Sequence, residues 1–171
     1  LLTLVRKSEL IQATWDEVDF ESKTWTIPKQ RMKGRNPHVV YLSSQTLDIF
    51  VTLHACAAGS RFVFPSRYDA ERCMSKTKGQ PLQPFTVHDL RRTGSTLLNE
   101  IGFNRDWIEK CLAHEDGRSS RSVYNKAEYA EQRRNMLQEW ANMVDAWIDG
   151  QTYVPKLMPE NVVVPVLSAV A

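Results

Sequence analysis

The stretch TVHDLRRTGSTLLNEIG at residues 86–102 decides how the rest of the chain is read. Thr86 is followed three residues later by Asp89, the spacing at which two side chains cap a helix start reciprocally. Leu90, Leu97, Leu98 and Ile101 then recur at helical spacing, and Gly102 supplies the stop. The spacing predicts a helix whose first two turns carry His88, Arg91 and Arg92. Backbone N–H groups at its start, the positive end of its dipole and an arginine fork together make a phosphate site. On this motif alone a second reading stands beside the first: Arg91 and Arg92 as solvated surface charges, His88 as a partly buried packing residue.

Working towards the N-terminus, residues 1–11 have helical period, with Arg6 and Glu9 three apart on one side, where they can meet. Segments 13–19, 24–28 and 37–42 are rich in β-branched and aromatic residues and are separated by turn-prone Glu21-Ser22-Lys23 and Lys33-Gly34-Arg35-Asn36. They predict a small antiparallel meander. Its second hairpin carries Lys29, Arg31, Lys33 and Arg35 without an acidic residue between them, a strip able to neutralise backbone phosphates. An edge strand protected by positive charge is the competing reading. Ser43 or Ser44 stands where a helix cap belongs, ahead of Leu47, Ile49, Phe50 and Leu53. Residues 61–84, broken by Pro65, Gly79, Pro81 and Pro84, read as a surface loop with room for one short helix.

Towards the C-terminus, helices are expected at 105–113 and 127–148, the longer one with Tyr129, Met136, Leu137, Trp140, Met143, Val144 and Trp147 at three-to-four spacing. The fold class is therefore mainly α with a small three-stranded antiparallel sheet. Residues 1–150 form one unit, and 151–171, interrupted by Pro155, Pro159 and Pro165, form a tail. It either contacts a neighbouring subunit or folds back on its own domain.

A length of 171 residues allows one well-buried core, and a net charge of +2 does not by itself select a nucleic-acid partner. Cys56, Cys73 and Cys111 are odd in number and widely spaced, which points to reduced packing thiols rather than disulfides or a zinc site. The sequence contains no apolar run near the ~20 residues of a membrane span, so a cytoplasmic protein is expected. Leu1 falls inside an apparent helix, which suggests a piece of a longer protein. His38 and His54 belong to no motif. His38 is assigned to the strand surface, with a phosphate contact as its functional option, and His54 to helix packing.

Read together, Arg6-Lys7-Ser8-Glu9-Leu10, Trp15-Asp16-Glu17-Val18-Asp19, Lys33, His88-Asp89-Leu90-Arg91-Arg92-Thr93, Leu112-Ala113-His114 and Val123-Tyr124-Asn125 follow in the order found in tyrosine recombinases. The chain resembles the catalytic domain of that family over about residues 1–148. Tyr124-Asn125, Glu131-Gln132-Arg133-Arg134 and Trp140-Ala141 look most like integrases of temperate and satellite phages and of genomic islands. One departure is Ala113, where the family commonly has Gly; the change is expected to matter little.

The resemblance implies site-specific recombination of DNA attachment sites, by bacterial or phage-encoded integration and excision through a 3′-phosphotyrosine. Tyr124 would be the nucleophile, with Arg6 and Arg91 on the phosphate, His88 and His114 serving proton transfer and hydrogen bonding, Lys33 protonating the leaving oxygen and Glu9 supporting the arginines. Lys29, Arg31, Arg35 and Arg92 would bind DNA. It implies no metal, cofactor or ATP, a homotetramer on DNA with a monomeric state open without it, and N-terminal DNA-binding domains that this chain does not contain. A non-catalytic DNA-binding regulator of the same fold and a type IB topoisomerase-like relaxing enzyme are the alternatives. A pure protein-interaction domain would leave the basic strip and Arg91-Arg92 unexplained.

Overall fold

In the computed structural model, which describes residues 1–34, 36–75, 86–114 and 127–157, one strand divides two cores. Strands β1 (Val18–Asp19), β2 (Thr24–Ile27) and β3 (His38–Tyr41) form an antiparallel sheet in chain order, with Trp25 opposite Val40 and Ile27 opposite His38. Successive side chains of a strand point to opposite faces. Val39 and Tyr41 accordingly join a helical core, whereas Val40 and, just past the strand, Leu42 join Trp25, Ile27, Met32, Phe50 and Val63 in a second core under the sheet.

The helical core is built on α5 (Ala130–Ile148), whose Met136, Leu137, Trp140, Met143 and Val144 bury one stripe against α3 (Val87–Ile101) and α4 (Arg105–Cys111). Each such side chain stabilises the fold by roughly 1.5–3 kcal/mol. α3 begins with the expected reciprocal cap: the Asp89 N–H donates to Thr86 Oγ1 (3.3 Å) and the Thr86 N–H to Asp89 Oδ2 (2.8 Å). α2 (Ser44–Ala55) is capped by Ser43, whose Oγ accepts from the Thr46 N–H.

Four expectations are corrected. The first helix is only α1 (Lys7–Ile11), because the Glu9 carboxylate accepts the Arg6 N–H at 2.7 Å and sets the start there, while Leu4 adopts a left-handed φ of 54°. Of segment 13–19, only the last two residues are strand; Trp15–Glu17 makes a tight 3-10 turn. The stretch after residue 61 contains a second sheet, β4 (Pro65–Ser66) with β5 (Asp69–Cys73), closed by a turn between them. The long helix starts at Ala130, three residues later than expected, because Tyr129 takes φ 49°.

Of the cysteines, Cys111 is buried, Cys73 half-buried and Cys56 exposed, and all three are free thiols, so the packing role holds for Cys111. Residues 151–157 fold back on their own domain. The buried Glu139 carboxylate accepts the Tyr153 hydroxyl (3.0 Å) and the Lys156 N–H (2.7 Å). Residues 158–171, and with them the rest of the tail, lie outside the described residues.

Candidate active site

The site grows from the C-terminal end of α4. After Leu112 the chain turns through Ala113 at φ 47°; the His114 N–H bonds to the Glu109 carbonyl and the Ala113 N–H to that of Lys110, each at 3.1 Å. This is a Schellman ending, whose left-handed position is usually Gly. Ala113 therefore occupies a left-handed backbone position that glycine adopts without strain.

The turn presents two consecutive carbonyls, and each receives a guanidinium. Arg91 donates Nη2 to Leu112 O and Nη1 to Leu4 O (2.7 Å). Arg6 donates Nη2 to Ala113 O (3.5 Å) and Nη1 to Glu9 Oε1 (2.7 Å). His114, the next residue, is held through Nδ1 by Glu109 Oε2 at 2.8 Å. Arg6, Arg91, Glu9 and His114, from three separate parts of the sequence, thus converge on one turn.

Each guanidinium has five N–H donors, and among the described residues each spends two, which leaves donors for an anion. Burial, and next the neighbouring Arg6 charge, push the Arg91 guanidinium down to about 10, against the pull of Glu9 and Glu109. Two guanidiniums converging on one turn are an arrangement suited to a phosphate.

Gly94, three residues after Arg91, lets the Leu4 side chain and the Trp140 ring pack closely on α3. A Cβ there would stand 2.7 Å from Leu4 Cδ2 and 3.3 Å from Trp140 Cζ2, so a side chain would press on the Leu4 side chain and the Trp140 ring. The sequence reading missed Gly94 and Glu109. A Gly on the Arg91 face of the helix, three residues on, was the available signal for the first; Glu109 had none.

His88 is exposed one turn before Arg91 on α3. Arg92 points away, 75% exposed and paired with Asp89 at 2.9 Å. Lys29 and Lys33 are exposed in the β2–β3 connection, and no contact among the described residues ties Lys33 to the guanidinium pair. Arg31 departs from this outward strip. Its guanidinium turns in, donating Nη1 to the Glu9 carbonyl (2.9 Å) and pairing with Glu17, which also accepts the Trp25 indole N–H at 3.0 Å. The acid of the Trp-Asp-Glu motif captures it, so Arg31 braces Glu9 from behind. Arg35 and Tyr124 lie outside the described residues.

His38 is the clearest correction. It is 8% exposed, not on the strand surface. Burial, then the charges of Arg133, Arg91 and Arg6, push its imidazole down to about 4, against a hydrogen bond with the Cys111 backbone. It is a neutral group beneath the arginines. His54 is exposed on α2, but its ring meets the Trp15 ring edge-on at 4.7 Å, which is the packing role expected.

Residues 1–131 match the model of the phage integrase family. The chain belongs to that family. The expectation of a tyrosine recombinase, and of its mainly helical fold with a three-stranded sheet, is borne out. Among phage integrase family proteins, the prophage integrase IntA of Escherichia coli (strain K12) is 40% identical over 164 residues, covering 92% of this chain and 40% of that protein. The integrase of Shigella phage Sf6 is 36% identical over 153 residues, 84% of this chain and 39% of that one. For the integrase of Enterobacteria phage P4 the figures are 30% over 184 residues, 94% and 42%. The chain thus spans about two fifths of the length of the curated relatives it matches. Among solved structures, the Tn1549 transposon integrase in complex with circular intermediate DNA superposes with a TM-score of 0.51 at 17% identity, over 78% of this chain and 53% of that chain. That likeness concerns the fold. Among the described residues no helix is long and apolar enough to cross a membrane.

Proposed function

We propose that this chain is the catalytic domain of an integrase that cuts and rejoins DNA attachment sites through a covalent 3′-phosphotyrosine on Tyr124. The observation that carries the reading is the convergence of Arg6 and Arg91 on the adjacent carbonyls of Ala113 and Leu112, with His114 next in the chain. Paired guanidiniums fixed before the substrate arrives suit a phosphate that gains negative charge in the transition state.

In this reading Arg6 and Arg91 hold the non-bridging oxygens. A tyrosine hydroxyl has an ordinary pKa near ~10 and needs its proton removed. His88 accepts it or holds the phosphate, and His114 donates to a phosphate oxygen as charge builds. Lys33 protonates the departing 5′-oxygen. Glu9 orients Arg6, and Arg31 supports Glu9. The bond energy stays in the phosphotyrosine, so rejoining by another strand's 5′-hydroxyl needs no ATP, and guanidinium and imidazole groups take the part of a metal ion. Lys29 and Arg92, with Arg35, add salt-dependent contacts to the DNA backbone. Strand exchange between two duplexes requires four such subunits, working in the compartment that holds the DNA.

The test uses the complete reading frame that encodes the chain and nicked duplexes tiled across the genome that carries it. Wild type should form a denaturant-resistant adduct with a discrete junction sequence, and Tyr124→Phe should form none. An adduct that persists in Tyr124→Phe places the nucleophile elsewhere, and absence of any wild-type adduct overturns the reading. Lys33→Ala should slow cleavage more than binding, and a 5′-bridging sulfur, which leaves without a proton, should restore the rate. Failure of that rescue removes Lys33 from its role as acid.

A further inference from the structure

Arg133, in the first turn of α5, is 2% exposed, and no step above uses it. Its Nη1 donates to the Glu128 carbonyl at 3.2 Å and lies 3.7 Å from the Glu128 carboxylate. Its Nη2 donates to the Val39 carbonyl at 2.5 Å, its Cζ stands 5.0 Å from the centre of the Tyr41 ring, and its charge opposes the rise that burial imposes on the Cys111 thiol. Its Nε is buried without a hydrogen-bond partner among the described residues. A buried cation with an unsatisfied donor is a poor way to fill a core, since apolar side chains of similar volume commonly serve stability as well or better. What this cation does instead is join β3 to the chain entering α5, beside the end of α4.

Those ends matter because of what they adjoin. Cys111 directly precedes Leu112 and Ala113, whose carbonyls hold Arg91 and Arg6. Glu128 stands four residues after Tyr124 in the sequence. Four residues of extended chain reach at most about 14 Å, so a fixed Glu128 limits where the phenol can go. α4 holds both flanks: Glu109 binds His114 at 2.8 Å, and its neighbour Lys110 binds Glu128 at 3.1 Å.

We propose that Arg133 is a positioning residue for the nucleophile, a buried tie that fixes Glu128, four residues after Tyr124 in the sequence, against β3 beside the end of α4, with the Lys110–Glu128 ion pair as its outer half. The inference rests on the proposed phosphotyrosine chemistry. It assigns Arg133 to delivery of the phenol and not to activation of the phosphate, and a misplacement of about 1 Å between reacting atoms can cost roughly 100-fold in rate.

Two nucleophiles separate the roles. With wild type, adduct formation on the nicked duplex reports phenol delivery and phosphate grip together. In Tyr124→Phe, hydrogen peroxide from solution attacks the same phosphorus and expels the 5′-oxygen as the hydroxyl, which reports phosphate grip alone. Arg133→Lys should slow adduct formation roughly 10- to 100-fold. Added to Tyr124→Phe, it should change peroxide cleavage by less than about 3-fold. Equal losses in the two reactions would make Arg133 a general support of the fold, and undiminished adduct formation would remove it from the mechanism; either overturns the proposal. If Arg133→Lys does not fold, Lys110→Ala with Glu128→Gln decides: loss of a partly exposed ion pair should slow the adduct about 2- to 5-fold and leave peroxide cleavage unchanged, and no slowing overturns the tie. A wild-type chain that forms no adduct overturns the proposed function itself, a different result from an active wild type with indifferent variants.

Discussion

Arg6, Arg31, Arg91 and Arg133 on one side, and Lys29, Lys33 and Arg92 on the other, carry the same unit of charge into opposite surroundings. The first group is oriented by main-chain carbonyls: Ala113 for Arg6, Glu9 for Arg31, Leu4 and Leu112 for Arg91, Val39 and Glu128 for Arg133. The second stands in solvent, and of its members Arg92 pairs with a residue of its own helix. A carbonyl is fixed by the path of the backbone, so the inner guanidiniums are aimed before any anion arrives. The outer cations must be gathered from solvent, and their attraction weakens with salt. The backbone shows what this aim costs. Leu4 and Ala113 both adopt left-handed φ values, and Tyr129, directly after Glu128, does the same. Three of the places where a non-glycine residue is strained are thus places where an arginine is held.

The largest effect should separate the two neighbours Arg91 and Arg92. Arg91→Lys keeps the charge but cannot span two carbonyls and a phosphate, so adduct formation should fall roughly 100- to 1000-fold. Arg92→Lys keeps an exposed charge in solvent and should change the same rate by less than about 3-fold. Comparable losses in the two variants, measured as single-turnover adduct formation, would erase the distinction between inner and outer cations.

The next effect concerns His38, which burial first and the inner arginines second hold neutral. Its imidazole titrates near 4 in the folded chain against the ordinary value of 6.5. Between those values the unfolded chain takes up a proton that the folded chain refuses, so lowering the pH favours unfolding. The stability present above pH 6.5 should be lost progressively, by about 3 kcal/mol on reaching pH 4. Urea denaturation at a series of pH values should show this slope in wild type and a shallower one in His38→Gln. Parallel curves would mean that His38 does not titrate as its surroundings require.

The contrast also explains what was legible in the sequence. The caps at Ser43 and Thr86, the three strands and the apolar stripe of α5 depend on local spacing, and local spacing is visible in a single chain. The Arg6 to Glu9 contact was visible for the same reason. The inward turn of Arg31 was not, because it depends on Glu17 fourteen residues away and on a carbonyl, and every residue has a carbonyl. The burial of Val40 and Leu42, two and four residues on, made burial of His38 legible by alternation, whereas its hydrogen bond to the Cys111 backbone comes from the end of α4, which only the fold brings near. The short α1 has a related cause: Leu4 leaves helical geometry, and its carbonyl goes to Arg91. Tertiary acceptors decided these cases, and they carry no periodicity.

The smallest effect tests whether the backbone strain belongs to the aim of the arginines. Ala113 is left-handed at φ 47°, a conformation that costs an L-residue roughly 1–2 kcal/mol, while glycine there loses more freedom on folding by roughly 0.5–1 kcal/mol. Ala113→Gly should therefore stabilise the chain by up to about 1 kcal/mol, read as a shift of the urea midpoint without a change in slope. The turn keeps its shape in this variant, so the carbonyls of Leu112 and Ala113 still face Arg91 and Arg6, and adduct formation should stay within about 3-fold of wild type. Ala113→Val should do the reverse, because a β-branched side chain tolerates positive φ least. Should Ala113→Gly gain stability and lose activity together, the methyl group would be holding the turn in its working shape, and the strain would be part of the site rather than a consequence of it.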